Sequence, residues 1–296
     1  MTIAKKILFV TGTRADFSKI KPLLAKLDSD SFYETILFVT GMHMLSRYGS
    51  TINEIYKSGF QSIQLHPFIN QYVDEPMEQI LANTISALSR FLRENPPDMI
   101  VVHGDRIEAV AGAVAGALNN IRVAHIEGGE LSGTIDDSLR HATSKMAHIH
   151  FVSNKEASQR LIKMGENQNN IFVIGSPDLD IMNSEFLPSL TPTKVHYNIE
   201  FERYGLLIFH PVTTELDTLY EQAWQLRMAC EESAHNFIVI YPNNDAGSTH
   251  IFDAFQGMED EPGFNIFPSL RFEHFLTLLS HADMIVGNSS AGIREA

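Results

Sequence analysis

Val101-Val102-His103-Gly104-Asp105-Arg106-Ile107-Glu108, then Arg122-Val123-Ala124-His125-Ile126-Glu127-Gly128-Gly129-Glu130 and Asp136-Asp137, is the stretch whose reading decides the fold. Twice an apolar, β-branched run breaks off into glycine and acidic side chains. Between the two runs lies Ala109-Val110-Ala111-Gly112-Ala113-Val114-Ala115-Gly116-Ala117, a small-residue pattern suited to a helix lying close on a sheet. Strand, helix and strand in that order mean a right-handed crossover and parallel pairing. The carboxyl ends of parallel strands open onto the crevice where ligands bind, so Asp105, Glu108, Glu127, Glu130, Asp136 and Asp137 are placed to face a substrate. Crowded carboxylates repel one another, which raises some of their pKa values and gives acids and bases that work near neutrality. A plainer reading stands beside this one. Acidic residues after strands also serve as helix N-caps and first-turn charges, and Asp136 before Ser138-Leu139-Arg140 fits that role.

Outward from this stretch the same pattern repeats. Ile7-Leu8-Phe9-Val10 reads as a strand ending in Thr11-Gly12-Thr13-Arg14, followed by Phe17, Ile20, Leu23, Leu24 and Leu27 at helical spacing. Backbone N–H groups in that turn can face an anion, with Arg14 and Lys19 adding charge. Only Gly12 stands where a dinucleotide fingerprint needs three glycines, so no nicotinamide site is expected. A strand over residues 35–40 ends at Gly41-Met42-His43, and a weaker one over 61–65 leads to an irregular segment, 67–76. A helix is expected over 77–92, and further strands over 98–102, 148–152 and 171–174.

Gly175-Ser176-Pro177-Asp178 punctuates the end of a first lobe, residues 1–178. The polar, weakly periodic stretch 179–203, with Pro188 and Pro192, reads as a linker. A second lobe, 204–296, has strands over 205–210, 236–241, 264–267 and 283–287, and a helix containing Trp224 and Met228. The expected fold class is therefore α/β with two Rossmann-like lobes and a cleft between them of the kind that takes a nucleotide-sized ligand. The sequence stops where a strand hands over to a helix, so the second lobe reads as unfinished.

Composition narrows the partners. With 44% hydrophobic and 20% charged residues this is a globular chain, and a formal charge of -14 argues against nucleic acid or an anionic membrane. Positive charge for an anionic substrate must then be supplied locally. The single cysteine, Cys230, excludes an intrachain disulfide framework and suits a reducing compartment. The apolar run after Lys5 and Lys6 is too short for a signal peptide, and no run approaches the roughly 18 apolar residues that span a bilayer. The expected location is the cytoplasm.

In the second lobe His210-Pro211-Val212-Thr213-Thr214-Glu215 sets an imidazole and hydroxyls at a strand end, where they can donate to phosphate oxygens. Thr213 or Thr214 serves equally as an N-cap. Tyr241-Pro242-Asn243-Asn244-Asp245 is another polar corner, and Ser289-Ser290-Ala291-Gly292 has the look of an anion-binding turn or of plain capping. Two other function classes use the same residues. A two-metal phosphoesterase could draw on His103, Asp105, His125, Asp136, His141 and His148, but paired-ligand spacing is missing, and His148 and His150 alternate along a strand. A binding protein without chemistry has no use for so many clustered carboxylates.

Taken in order, Thr11-Gly12-Thr13-Arg14-Ala15-Asp16, His103-Gly104-Asp105-Arg106, His125-Ile126-Glu127-Gly128-Gly129-Glu130, Phe209-His210-Pro211-Val212-Thr213-Thr214-Glu215 and Gly287-Asn288-Ser289-Ser290-Ala291-Gly292 give the chain its likeness. It resembles the hydrolysing UDP-N-acetylglucosamine 2-epimerases, in the branch that makes N-acetylmannosamine for sialic acid synthesis. The resemblance implies two lobes of the glycosyltransferase-B type, with UDP held largely by the second and the sugar against the first. It implies Asp105, Glu127 and Asp136 as catalytic carboxylates, with Asp137 an alternative to Asp136. Arg14 and His210 would lie by the diphosphate and leaving oxygen, Ser290 and Glu295 by the phosphates and ribose, and Phe272 by the uracil. Lys19, His43, Thr213, Asn243, Ser289 and Gly292 complete the expected substrate-binding set. No cofactor and no metal are implied, and a homo-oligomer, dimer or tetramer, is. A bacillosamine-type donor and the non-hydrolysing branch are the competing readings within the family.

Overall fold

The computed structural model describes residues 4–182 and 187–296. The chain divides into two compact units, one made of Met1–Leu45 and Ser50–Asp180, the other of Ser46–Gly49 and Ile181–Ala296. The first contains β1 (Lys5–Thr11), α1 (Arg14–Asp28), β2 (Tyr33–Val39), α2 (Ile52–Tyr56), β3 (Gln64–Pro67), α3 (Met77–Glu94), β4 (Met99–His103) and α4 (Ile107–Leu118). It continues with β5 (Arg122–Ile126), α5 (Ile135–Met146), β6 (Ile149–Val152), α6 (Lys155–Lys163) and β7 (Ile171–Val173), and α7 (Pro177–Met182) lies across the division. The strands form one seven-stranded sheet in the order β3-β2-β1-β4-β5-β6-β7, every pair parallel.

Alternation along the central strands feeds two cores. Leu8, Val10, Ile100, Val102 and Val123 pack on one face with Leu88, Phe91 and Leu92 of α3. Phe9, Val101, Ala124 and Ile126 pack on the other with Phe17, Ile20 and Leu24 of α1. Each such Val, Leu, Ile or Phe side chain, buried fully, contributes about 1.5–3 kcal/mol. The small-residue helix α4 lies on the sheet as its composition demands. A Cβ on Gly112 would sit 2.7 Å from Val102 Cγ1, and one on Gly116 2.5 Å from Val123 Cγ2.

The second unit contains α8 (Leu190–His196), β8 (Gly205–Ile208), α9 (Leu216–Glu232), β9 (Phe237–Ile240), α10 (Ser248–Phe255), β10 (Phe264–Phe267), α11 (Phe272–Leu279), β11 (Met284–Gly287) and α12 (Ala291–Arg294). Its sheet is four-stranded and parallel in the order β10-β9-β8-β11. Leu206, Ile208 and Ile238 meet α11 on one face, while Leu207, Phe237 and Val239 meet Leu219 and Ala223 of α9 and Ile251 of α10 on the other. Among the described residues no helix is long and apolar enough to cross a membrane.

The expected linker needs correction where it is described. Residues 187–203 are built into the second unit: Leu187, Leu190, Tyr197, Ile199 and Phe201 join its core. The Thr277 hydroxyl donates to the Pro188 carbonyl at 2.7 Å, and the Arg271 N–H donates to the Tyr197 hydroxyl at 3.0 Å. Pro192 falls in the first turn of α8, where its missing N–H has no intrahelical partner to lose. Residues 183–186 of that expected linker lie outside the described residues.

Candidate active site

In both units the sheet order reverses direction at a switch point, between β1 and β4 in the first and between β8 and β11 in the second. The crevice beyond the strand ends at such a point is the ligand site of open α/β sheets. In the first unit it is populated from β1, β4 and β5.

His103 ends β4, and its Nε2 stands 3.2 Å from Glu127 Oε2. Glu127, directly after β5, is 1% exposed and has φ +60, a left-handed backbone that side-chain-bearing residues avoid at about 1–3 kcal/mol. Its frame is fixed on both sides: its N–H donates to the Phe151 carbonyl at 2.8 Å, and its carbonyl accepts from Arg140 Nη1 at 2.8 Å. Strain held in this way aims the carboxylate away from the strand's course. Its Oε2 accepts from Lys19 Nζ at 3.0 Å and its Oε1 from the Ser176 hydroxyl at 2.9 Å.

Arg140, 5% exposed on α5, ties the cluster together. Its other guanidinium nitrogen donates to the Asp105 carboxylate, and Nη1 lies 4.0 Å from Glu130 Oε2. Glu130 Oε1 accepts from the Ser153 hydroxyl at 2.6 Å. The carboxylates of Asp105 and Glu130 thus face one buried cation, which also holds the backbone carbonyl of Glu127. Lys19, expected to meet an anionic substrate, instead pairs with Glu127 and, at 3.1 Å, with Asp178.

Asp136 and Asp137 lie in the first turn of α5, where Thr134 is the N-cap. Their places differ. Both oxygens of Asp137 are committed, accepting from the Ser132 N–H, the Gly133 N–H at 3.0 Å and the Ser132 hydroxyl at 3.0 Å. Desolvation pushes this carboxyl up, but the Ser132 and Gly133 N–H donors outweigh it and hold the group below the usual carboxylate range. Asp137 therefore pins the loop before α5, while Asp136 beside it is half-buried.

The turn after β1 departs from expectation. Its Gly12 and Thr13 N–H groups both donate to Asp16 Oδ2 at 3.0 Å, and the Thr11 hydroxyl donates to Oδ1, so the anion filling this turn is the protein's own. Burial raises the Asp16 carboxyl despite these donors. The Arg14 guanidinium pairs with Glu54 of α2. His43 is fully buried beneath the turn, with Nε2 3.0 Å from the Thr11 hydroxyl and Nδ1 2.6 Å from the Thr51 hydroxyl. Burial, helped by the Arg14 charge, pushes its pKa down to about 3. That makes His43 a neutral strut of the corner with no ring nitrogen left for a ligand. His125 is another such strut. Its Nε2–H donates to the Gly104 carbonyl at 2.7 Å, Nδ1 accepts from the Ser144 hydroxyl at 3.0 Å, and burial pushes its pKa down to about 3. A metal would find no lone pair on it. Among the described residues no group of three or more His, Cys, Asp or Glu side chains is arranged to hold a metal ion.

In the second unit the corners after β8, β9 and β11 converge. The His210 N–H donates to Asn288 Oδ1 at 2.7 Å, and Asn288 Nδ2 donates back to the His210 carbonyl at 2.9 Å. His210 Nδ1 accepts from the Asn243 N–H at 3.3 Å, which in the neutral ring places the proton on Nε2. Gly287 makes the corner feasible: it has φ +126, and a Cβ there would sit 1.9 Å from the Ile208 carbonyl oxygen. Ser289 Oγ accepts from the Ala291 N–H at 3.3 Å, and the Gly292 N–H donates to the Ser289 carbonyl at 3.2 Å, so this turn caps itself. Ser290 holds the N-cap position of α12 without a side-chain cap bond, and Glu295 holds its C-cap. Thr213 and Thr214 cap nothing, because α9 begins two residues later behind Glu215. Phe272 opens α11 and stacks on Phe275, with ring centroids 6.2 Å apart.

Three groups in these sites escaped the reading of the sequence: Arg140, Ser176 and Asn288. Arg140 follows Asp136 by one helical turn, a spacing that could have marked it as the acids' partner. Ser176 and Asp178 come from the far edge of the sheet, and only the tertiary fold brings them to Glu127.

Comparison with known proteins gives one family. The family model for UDP-N-acetylglucosamine 2-epimerase matches residues 25–296. The chain is 52% identical over 292 residues to the UDP-N-acetylglucosamine 2-epimerase of Neisseria meningitidis serogroup B, covering 99% of this chain and 77% of that one. It is 35% identical over 301 residues to the UDP-N,N'-diacetylbacillosamine 2-epimerase (hydrolyzing) of Legionella pneumophila, covering 99% and 78%. Among solved structures, the Methanocaldococcus jannaschii UDP-GlcNAc 2-epimerase in complex with UDP-GlcNAc and UDP aligns with a TM-score of 0.80 at 19% identity, over 98% of this chain and 81% of that one. At that identity the likeness speaks for the fold: two parallel α/β units, as in glycosyltransferase-B proteins. With the match running from residue 25 to 296 and a relative sharing half of its residues, this chain belongs to the UDP-N-acetylglucosamine 2-epimerase family.

Proposed function

We propose that this chain is a hydrolysing 2-epimerase, taking UDP-N-acetylglucosamine and water to N-acetylmannosamine and UDP. The observation that carries the reading is the bridge by Arg140 from the Asp105 carboxylate to the Glu127 backbone, which ties together two acidic residues that follow neighbouring strands. It is supported by the 52% identity to a protein named for this epimerisation.

The chemistry explains why such acids are needed. The C2 proton of the sugar is not next to a carbonyl, so a carboxylate alone cannot remove it. It becomes acidic once the C1–O bond to UDP breaks and C1 gains oxocarbenium character. A base then takes it, leaving a 2-acetamidoglucal. Water adds at C1, and a proton returns to C2 from the opposite face. Two faces require two acids, and we assign the C2 transfers to Glu127 and Asp136 and the orienting or water-activating role to Asp105. Arg14 and His210 are assigned to the departing diphosphate, His210 through its Nε2–H. Asn243, Thr213, Ser289, Ser290, Gly292, Glu295 and Phe272 are assigned to the nucleotide. The family resemblance supports a cytoplasmic homo-oligomer that supplies N-acetylmannosamine for sialic acid.

Mass spectrometry of the products tests the reading. UDP plus free N-acetylmannosamine, with deuterium at C2 when the reaction runs in deuterated water, is the expected result. Release of UDP-N-acetylmannosamine in place of the free sugar would overturn the hydrolytic assignment. The 35% identity to the Legionella pneumophila protein favours one second reading, the same chemistry on a UDP-N,N'-diacetylbacillosamine donor, so both donors belong in the assay.

A further inference from the structure

Behind Glu127 stands an acid that the mechanism above leaves unused. Asp178 is 3% exposed. Its Oδ2 lies 3.1 Å from Lys19 Nζ and 3.2 Å from Ser176 Oγ, and its Oδ1, equally buried, has no hydrogen-bond partner among the described residues. Lys19 and Ser176 both reach Glu127 as well, at 3.0 Å and 2.9 Å. The same two groups therefore bridge the same two carboxyls.

Two carboxyl groups here share one ammonium where water is largely shut out, so a proton added to either relieves their mutual repulsion. The hydroxyl imposes a second constraint. Ser176 has one proton to donate, to Glu127 or to Asp178. Its other close carboxyl contact is satisfied only when that acid is protonated and donates to Ser176 Oγ. With one proton on the pair the hydrogen-bond chain is complete in either direction.

We infer that Asp178 receives, through the Ser176 hydroxyl, the proton that Glu127 removes from C2. The inference rests on Glu127 being a C2 base, as assigned above. As the C2–H bond breaks, its electron pair enters the C1–C2 double bond and the proton passes to Glu127. Glu127 then gives a proton to Ser176 Oγ while Ser176 gives its own to Asp178. Glu127 ends as a carboxylate and Asp178 as a neutral acid, with nothing oxidised or reduced. A base that kept the proton could hand it straight back to the glycal. Moving it away favours hydration of the intermediate. His103, 3.2 Å from Glu127 Oε2, and Arg140, on the Glu127 carbonyl, also face Glu127, from β4 and α5. Ser176 and Asp178 act through Glu127 and are positioning residues.

The test compares Ser176→Ala, Ser176→Thr, Asp178→Asn and Glu127→Gln by kcat, KM, C2 deuterium labelling and the isotope effect with C2-deuterated UDP-N-acetylglucosamine. Ser176→Ala and Asp178→Asn should each lower kcat about 10-fold or more, with KM within about two-fold and a larger isotope effect. Ser176→Thr, which keeps the hydroxyl, should restore most of kcat and so separates a lost relay from a lost fold. Parent-like kcat in Ser176→Ala and Asp178→Asn, or a loss that Ser176→Thr does not restore, overturns the relay provided Glu127→Gln abolishes C2 labelling. If Glu127→Gln still labels C2, the assignment of Glu127 fails first and takes the relay with it.

Discussion

The guanidinium of Arg140 is bonded to the carboxylate of Asp105 and, through its other nitrogen, to the backbone of Glu127. One side chain on α5 thereby ties the acid that follows β4 to the backbone of the acid that follows β5. A lysine carries the same charge but presents a point rather than a planar fork, and cannot hold both partners. Arg140→Lys should lower kcat by about 10²-fold, on the scale of a misplaced catalytic group, with a smaller change in UDP affinity. Arg140→Ala should also destabilise the protein by about 3 kcal/mol, because it leaves acids around an empty cation position. Urea unfolding and steady-state kinetics measure the two effects, and parent-like values in both variants would remove Arg140 from the site.

Removal of the acids themselves is the direct test of the proposed roles. Asp105→Asn, Glu127→Gln and Asp136→Asn should each reduce turnover by about 10²–10⁴-fold. Affinity for UDP, measured by calorimetry, should hardly change, since the nucleotide is assigned to Arg14 and to residues of the second unit and not to these three acids. Asp137→Asn separates the two adjacent acids on α5. Asp137 pins residues 132 and 133, so its loss should show as greater protease sensitivity of that loop. If all three carboxamide variants turn over like the parent, the chemistry is carried elsewhere.

How far the sequence could be read depended on burial. The central strands of both sheets were legible because each is an apolar run enclosed on two faces, and α4 because only small residues let a helix lie so close to Val102 and Val123. The helix over Leu190–His196 was not, since Thr191, Thr193, Lys194 and His196 mask its buried side and Pro192 looks like a break. At the site, Asp105 and Glu127 were legible as strand-end acids. His43 follows and His125 lies near the end of the same kind of run, yet both are fully buried and brace the corners through bonds to Thr11, Thr51, Gly104 and Ser144 that only the tertiary fold supplies. Ser176, Asp178 and Asn288 reach their partners only through the order of strands, which no local pattern records.

Backbone strain at Glu127 can be isolated from its chemistry. Glu127→Ala and Glu127→Gly both lose the carboxylate, its Lys19 and Ser176 contacts and, on the proposed mechanism, the activity. They differ in tolerance of φ +60, which alanine resists and glycine accepts. The glycine variant should therefore be the more stable of the two by about 1 kcal/mol, even though glycine gives a more flexible unfolded chain. Equal unfolding midpoints, or the reverse order, would mean that the backbone relaxes once the carboxylate is gone.

The corner after β11 makes a sharper prediction about the fold of the second unit. At Gly287 a methyl group would meet the Ile208 carbonyl oxygen at 1.9 Å, and the backbone there has φ +126. Both obstacles are backbone, so no side-chain rotation relieves them. Gly287→Ala should cost roughly 3 kcal/mol or more, through strain and the displacement of β11 from β8. It should also disturb Asn288 and with it the hydrogen bonds that hold His210. UDP affinity should accordingly fall more in Gly287→Ala than in Asp105→Asn, a ranking that calorimetry can reverse.

Acid sensitivity should follow from the two struts. His43 and His125 are neutral in the folded protein with pKa values pushed down to about 3, whereas in the unfolded chain they titrate near about 6.5. Between those values the unfolded state binds protons that the native state refuses, so stability from these groups is complete above about pH 6.5 and is lost as pH falls toward 3. One such group gives a slope approaching about 1.4 kcal/mol per pH unit in the middle of the window. His125→Asn removes one titrating group, so its unfolding free energy, though lower at pH 7 for want of the ring, should fall less steeply than the parent's between about pH 6 and 4. Urea unfolding across that range measures both slopes. Parallel curves would mean that His125 takes up its proton without leaving the native structure, and that its bonds to Gly104 and Ser144 do not exclude the charged ring.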